Sequence, residues 1–232
     1  MLTEEEKQYA LKKYVEFLQH PSISATGEGI RETASWLKDF MEELGIKASI
    51  EETGGHPVVY GEVNNGGEKT LLVYNHYDVQ PVDPLNEWKY PPFSATVENG
   101  YIYARGASDN KGVLIARLIG FSKYKGNLNF KFLFEGEEEI GSINLPNYVE
   151  KKKPKADAVL MEGAGLDTKG RPMIVLGVKG LLYVQLTVRT GSRDVHSSNA
   201  PIVYNPVWEL IKILNEIYDG EKVKLKGFYD DI

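Results

Sequence analysis

The sequence predicts an α/β layer fold with a mostly parallel sheet, because apolar strand-like runs alternate with amphipathic helical stretches along most of its length. The run TLLVYN (70–75) is continuously apolar, as a central strand covered on both faces must be. NLNFKFLFE (127–135) and ADAVLME (156–162) read as further strands, and the stretch from Lys111 to Tyr124 reads as a helix between the first two. In such a sheet ligands gather outside the carboxyl ends of the strands, so residues at those ends carry the functional argument.

The other elements follow in chain order. Thr3 and Glu6 make a capping box, and Leu11, Tyr14, Val15 and Leu18 recur on one face, which predicts a helix over about 4–19 closed by Pro21. A second helix is predicted from Ile30 to Leu44, with Ala34, Leu37 and Met41 on its buried stripe and Gly45 as its C-terminal cap. Ile46, Ala48 and Ile50 alternate with polar residues as a half-buried edge strand does. Residues 93–103 read as a hairpin around Asn99-Gly100, and 143–151 as a short helix. From Gly180 the texture changes: LLYVQLTVRT is a long alternating strand, and Ile202 to Tyr218 is a helix entered through Pro201 and Pro206. This is the opening β-α unit of a second domain, so the expected division is 1–179 and 180–232.

Composition narrows the function. With 42% hydrophobic and 26% charged residues, the 232-residue chain has the profile of a globular protein able to bury a sizeable core. A formal net charge of -6 leaves no basic surplus to neutralise phosphates, which argues against nucleic acid and against an anionic membrane surface as partners. The chain has no Cys, so disulfides, thiolate metal sites and a thiol nucleophile are excluded, and any metal must sit on His, Asp and Glu. The opening MLTEEEKQYA lacks a basic n-region and an apolar h-region, and no apolar run is long enough to span a bilayer; a cytoplasmic location is expected.

Four polar sites sit at the ends of predicted strands. His76 and Asp78 in NHYDVQP share a face, so the carboxylate can steady the imidazole while its other nitrogen binds a metal; an ordinary strand-end hydrogen bond is the plainer alternative. Asp109, just before a helix, is either an N-cap or a carboxylate placed to bridge cations. FEGEEEIGS (134–142) is either a solvated acidic run or a crowd of carboxylates that metal charge must offset. Glu162 ends the strand ADAVLME. Together they offer one imidazole and several carboxylates at one sheet edge, a donor set that suits zinc, cobalt or manganese; calcium has little use for His76.

HYDVQP (76–81), WKYPPF (88–93), YARGASDNKG (103–112), EGEEEIGS (135–142) and GVKGLLYVQLTVRTGSRDVHSS (177–198) resemble, in this order, the signatures of the aminoacylase, glutamate carboxypeptidase, acetylornithine deacetylase and cytosolic dipeptidase family of two-zinc metallopeptidases. HYDVQP and PPF look closest to its dipeptidase and carboxypeptidase branch. The resemblance implies a three-layer αβα zinc-exopeptidase-like catalytic domain followed by the start of an α+β ferredoxin-like lid and dimerisation domain. It further implies that His76 and Glu162 bind one zinc, Asp109 bridges both, and Glu139 binds the second. Glu138 is then the general base, Asp78 the partner that orients His76, and His196 the lid-domain histidine that reaches a partner subunit's site and donates to the developing oxyanion. Asp109-Asn110 matches a place where the family tends to have a non-proline cis peptide. His20 and His56 match no motif and are expected to be structural or exposed.

The function so implied is hydrolysis of peptide or N-acyl amide bonds next to a free carboxylate, as by a carboxypeptidase, dipeptidase or N-acyl-amino-acid deacylase. Glu, rather than Asp, at position 162 leans toward the carboxypeptidase and deacylase substrates. In the family the chain returns from the lid to supply the second zinc's histidine, and none of the residues to Ile232 matches it. The expectation is a weakly held second metal, low activity without another polypeptide, and association as a homodimer or with a complementary C-terminal fragment through apolar surface at 181–190 and 202–218. The competing reading is a non-catalytic or half-enzyme subunit that retains the fold and one metal site.

Overall fold

Thr3 opens the first helix, α1 (Glu4–Leu18): its side chain accepts from the Glu6 amide at 3.2 Å while the Glu6 carboxylate takes the Thr3 amide at 2.7 Å. The computed structural model describes residues 2–163 and 165–230. Phe17 and Leu18 are buried, whereas Leu11, expected on the same stripe, is 43% exposed on the rim of a groove between this helix and the one starting at Gly112. The face that packs on the core runs instead through Leu2, Tyr9, Ala10, Tyr14 and Phe17. In α2 (Ile30–Glu43), Ala34, Leu37 and Met41 are fully buried, and Gly45 follows with φ 81°, the left-handed end expected of it.

The sheet has five strands in the order β1 (Lys47–Glu51), β2 (Val58–Val63), β6 (Asn129–Glu135), β3 (Thr70–His76), β7 (Ala158–Leu160). β6, β3 and β7 are mutually parallel, β2 is antiparallel to β6, and β1 is antiparallel to β2, so β2 alone is reversed. Sequence reading did not find β2, because Gly61 interrupts its apolar run. That glycine has a packing reason: a Cβ there would lie 2.4 Å from Met41 Cε and 2.7 Å from Ile46 Cγ2.

Alternation along the strands builds three layers. Val59, Val73, Phe130, Phe132 and Phe134 face α1, α2 and α3 (Gly112–Ser122), while Val58, Tyr60, Leu72, Tyr74 and Leu133 face α4 (Leu145–Lys152) through Leu145 and Tyr148. Away from the sheet, β4 (Thr96–Glu98) and β5 (Tyr101–Tyr103) form the expected hairpin, with φ 52° at Asn99 and 81° at Gly100, as a two-residue turn of that hand requires.

The chain falls into two compact units, Met1–Val175 and Leu176–Ile232. In the second, α5 (Pro206–Ile217) is capped by Asn205, whose Oδ1 accepts from the Val207 amide at 2.9 Å. It starts later than expected because residues 197–202 form a separate 3₁₀ turn containing Pro201, and Pro206 occupies the first helical turn. Residues 181–190, expected as a strand, form no ladder among the described residues. A strand exists by pairing its backbone N–H and C=O groups, and alternation alone supplies no partner. No helix of the described residues is long and apolar enough to cross a membrane.

Candidate metal and catalytic site

Parallel β3, β6 and β7 end on the same edge of the sheet, and the marked residues gather there. His76 is the last residue of β3, Glu138 and Glu139 form a 3₁₀ turn just after β6, and Glu162 follows β7. Asp109 comes from the turn before α3, where its φ of -125° and ψ of 98° break an otherwise helical run (107–111). The Asp109–Asn110 peptide is cis.

His76 is 1% exposed, and its two ring nitrogens face different surroundings. Nδ1 lies 3.1 Å from the Asp78 carbonyl oxygen and 3.3 Å from Asp78 Oδ1. Two acceptors there hold the proton on Nδ1, which turns a lone pair on Nε2 outward in the neutral ring. Nε2 in turn lies 3.1 Å from Asp109 Oδ1, 3.4 Å from Glu162 Oε2 and 4.0 Å from Glu138 Oε2. Burial alone would drive off the imidazole's proton, but hydrogen bonding to Asp78 and the charges of Glu162, Asp78 and Glu138 outweigh it and push the pKa up to about 10. Four carboxylates thus lie within 4.0 Å of the ring nitrogens: Asp78 at Nδ1, and Asp109, Glu162 and Glu138 at Nε2.

Asp78 also organises the acidic run. Its carboxylate, fully buried, accepts from the Glu138 amide at 3.2 Å and the Glu139 amide at 3.1 Å. Glu138 is raised above the usual carboxylate range, first by burial and then, against the pull of His76, by Glu162, Asp78 and Asp109. Glu139 is raised as well, by burial and by neighbouring acids, with Gln80 opposing through an Nε2 hydrogen bond to Oε2 at 2.8 Å. Donor atoms of His76, Asp109 and Glu139 all lie within 4.8 Å of one another.

The other two acids of the run are structural. Glu135 takes hydrogen bonds from Tyr74 and, at 2.9 Å, from Ser142, and burial pushes its carboxyl up to about 7. Glu137 accepts from the His56 amide, the Asn144 amide and the Asn144 side chain, each at 3.0 Å, and so staples the 53–57 loop to the start of α4. The run is therefore neither a solvated face nor a uniform ligand set: its first two acids, Glu135 and Glu137, support the turn, and its last two, Glu138 and Glu139, face the crevice.

Residues 72–229 match the profile of Peptidase family M20/M25/M40. The chain belongs to this family. Cys-Gly metallodipeptidase dug1 of Schizosaccharomyces pombe is 32% identical over 240 residues, covering 91% of this chain and 50% of that protein. Beta-Ala-His dipeptidase of Homo sapiens is 31% identical over 217 residues, covering 84% of this chain and 43% of that one. Among solved structures, an M20 family metallo-carboxypeptidase, Sso-CP2 from Sulfolobus solfataricus, is 60% identical with a TM-score of 0.89, covering 100% of this chain and 54% of that one. The chain thus spans about half the length of the curated relatives it matches.

The donor set of this M20 chain fits a divalent metal: an imidazole whose far nitrogen is held by a carboxylate, and carboxylates crowded enough that burial and mutual repulsion raise two of them. Residues His76, Asp109 and Glu162 come together around Nε2, and Glu139 lies near Asp109. His196 belongs to the second unit, where its Nδ1 accepts from the Ser198 amide at 3.2 Å at the start of the 3₁₀ turn. His56 bonds Ser24 O through Nε2 at 2.8 Å, and His20 offers its carbonyl to Lys111 at 2.6 Å.

Sequence reasoning gave no role to three residues that shape the site. Gln80 lies inside the HYDVQP tract and holds Glu139. Asn110 donates to Glu162 Oε2 at 2.6 Å. Lys111 is fully buried and bonds Phe17 O at 3.2 Å and His20 O, tying the Asp109 turn to the end of α1; burial lowers its pKa to about 7.

Proposed function

We propose that this protein is a metal-dependent hydrolase that cleaves peptide or N-acyl amide bonds next to a free carboxylate. The observation that carries the reading is His76, oriented by Asp78 on one nitrogen and faced by Asp109, Glu162 and Glu138 on the other. His76 and Glu162 would hold one cation and Asp109 would bridge to a second held by Glu139, with zinc the first choice and cobalt or manganese alternatives. The bound metals supply Lewis acidity toward the scissile carbonyl and toward a water nucleophile. Glu138 then accepts the proton of the attacking water and returns it to the leaving amine, a task its raised pKa suits. Asp78 keeps His76 in one tautomer and holds the Glu138 amide, so base and ligand move as a unit.

Carboxypeptidase substrates are favoured over simple dipeptides, on the 60% identity to a named metallo-carboxypeptidase and on Glu at position 162; N-acyl amino acids are the next class to test. His196 is assigned to oxyanion stabilisation across a subunit boundary, in a homodimer or with a complementary chain, and the location is cytoplasmic. The test compares wild type and Glu138→Gln on N-blocked dipeptides, dipeptides and N-acyl amino acids. The reading expects a rate lower by roughly 10²–10⁴-fold with zinc affinity within a few-fold of wild type. An unchanged rate would remove Glu138 from the chemistry.

A further inference from the structure

Arg117 stands on α3, outside every motif that carries the chemistry, yet its guanidinium grips the ends of two strands. Nη1 donates to the Tyr74 carbonyl at 2.7 Å and to Asn75 Oδ1 at 2.5 Å, and Nη2 donates to the Met161 carbonyl. Tyr74 and Asn75 directly precede His76, and Met161 directly precedes Glu162. The registered pairs between β3 and β7 end at Val73 and Leu160, short of both side chains. Arg117 continues the connection where the ladder stops. Asn75 is fully buried and its Nδ2 has no partner among the described residues, so the amide is turned to satisfy the guanidinium, which can only donate. On its other side Glu162 is held by Asn110.

We infer that Arg117 is a positioning residue for the cation site: it sets the separation of His76 and Glu162 by pinning the backbone immediately before each. The inference rests on the metal-binding reading of those two residues. A planar fork of donors can reach two chains at once, which a single ammonium cannot, so lysine is only a partial replacement.

The test measures zinc affinity by competition with a chromophoric chelator, the visible spectrum of the cobalt form, and the melting temperature of the metal-free chain, for wild type, Arg117→Met, Arg117→Lys, Leu118→Ala and His76→Ala. Leu118, buried beside Arg117 on the same helix, controls for general loosening of α3. Arg117→Met is expected to weaken zinc binding about 10–100-fold and to alter the cobalt bands, as loss of a ligand-supporting contact does, with Arg117→Lys in between. Leu118→Ala is expected to lower the melting temperature at least as much while keeping wild-type affinity. Wild-type affinity in Arg117→Met overturns the inference, as does an equal loss of affinity in Leu118→Ala. If His76→Ala binds zinc like wild type, the metal-site reading itself fails and the inference goes with it.

Discussion

Replacing Asp78 by Asn changes one oxygen to NH₂ and tests whether this carboxylate assembles the site. In the wild type its two oxygens accept from the Glu138 and Glu139 amides at 3.2 and 3.1 Å, and Oδ1 also lies 3.3 Å from His76 Nδ1. The asparagine keeps one acceptor, so one backbone N–H faces a second donor in a fully buried place. Losing a hydrogen bond to a charged acceptor costs about 1.5–3 kcal/mol, and the buried His76 loses the carboxylate beside its Nδ1 as well. The metal-free variant should therefore unfold at lower urea, with stability reduced by about 2–4 kcal/mol. Zinc affinity should fall about 10–100-fold, because Nδ1 is no longer held by a carboxylate. Urea titration and chelator competition measure the two effects. A variant with wild-type stability and wild-type zinc affinity would refute the assignment of Asp78 as the organiser.

Other consequences are equally open to measurement. Glu51 joins β1 to α4 through Tyr148 (2.8 Å) and Lys152 (2.6 Å), and although burial pushes its carboxyl up, these partners and Ser49 win and hold it below the usual value. Its stabilisation is present above the unfolded-state carboxyl pKa of about 4.3 and is lost as pH falls through the lower folded value, so Glu51→Gln should cost roughly 0.5–1 kcal/mol at pH 7 and flatten the acid side of a melting profile. Gly136→Ala would place a Cβ 2.5 Å from the Tyr77 hydroxyl and 3.2 Å from His56 Cβ; it should destabilise by about 1–3 kcal/mol and weaken zinc binding by displacing the turn that carries Glu138 and Glu139. Phe132→Ala, in the middle of β6 and fully buried, should cost about 3–5 kcal/mol in urea unfolding without a change in metal stoichiometry, since it touches the core and not the crevice.

What the sequence made legible was what periodicity or punctuation marks. The capping box, Gly45, the Asn99-Gly100 turn and the central run at 70–75 each follow from a local preference that the tertiary structure leaves in place. β2 was hidden because its glycine answers to Met41 and Ile46, residues distant in sequence. The run at 181–190 carries a strand's alternation with no pairing partner among the described residues, and pairing is not a local property. Within the site, strand-end position marked His76, Asp78, Asp109 and Glu162, and the structure places all four together. The division of labour among the acids from Glu135 to Glu139 was not readable from composition. It depends on which partner each meets: Tyr74 and Ser142 for Glu135, Asn144 for Glu137, Asp78 and the crevice for the last two.

The central claim is that His76 and its acidic neighbours surround a divalent cation, and diffraction from crystals grown with zinc, collected on both sides of the zinc edge, tests it most directly. The account predicts an anomalous peak about 2.0–2.2 Å from His76 Nε2 with carboxylate oxygens of Asp109 and Glu162 at similar distance. Zinc bound only elsewhere, with Nε2 still in contact with protein carboxylates alone, would contradict it.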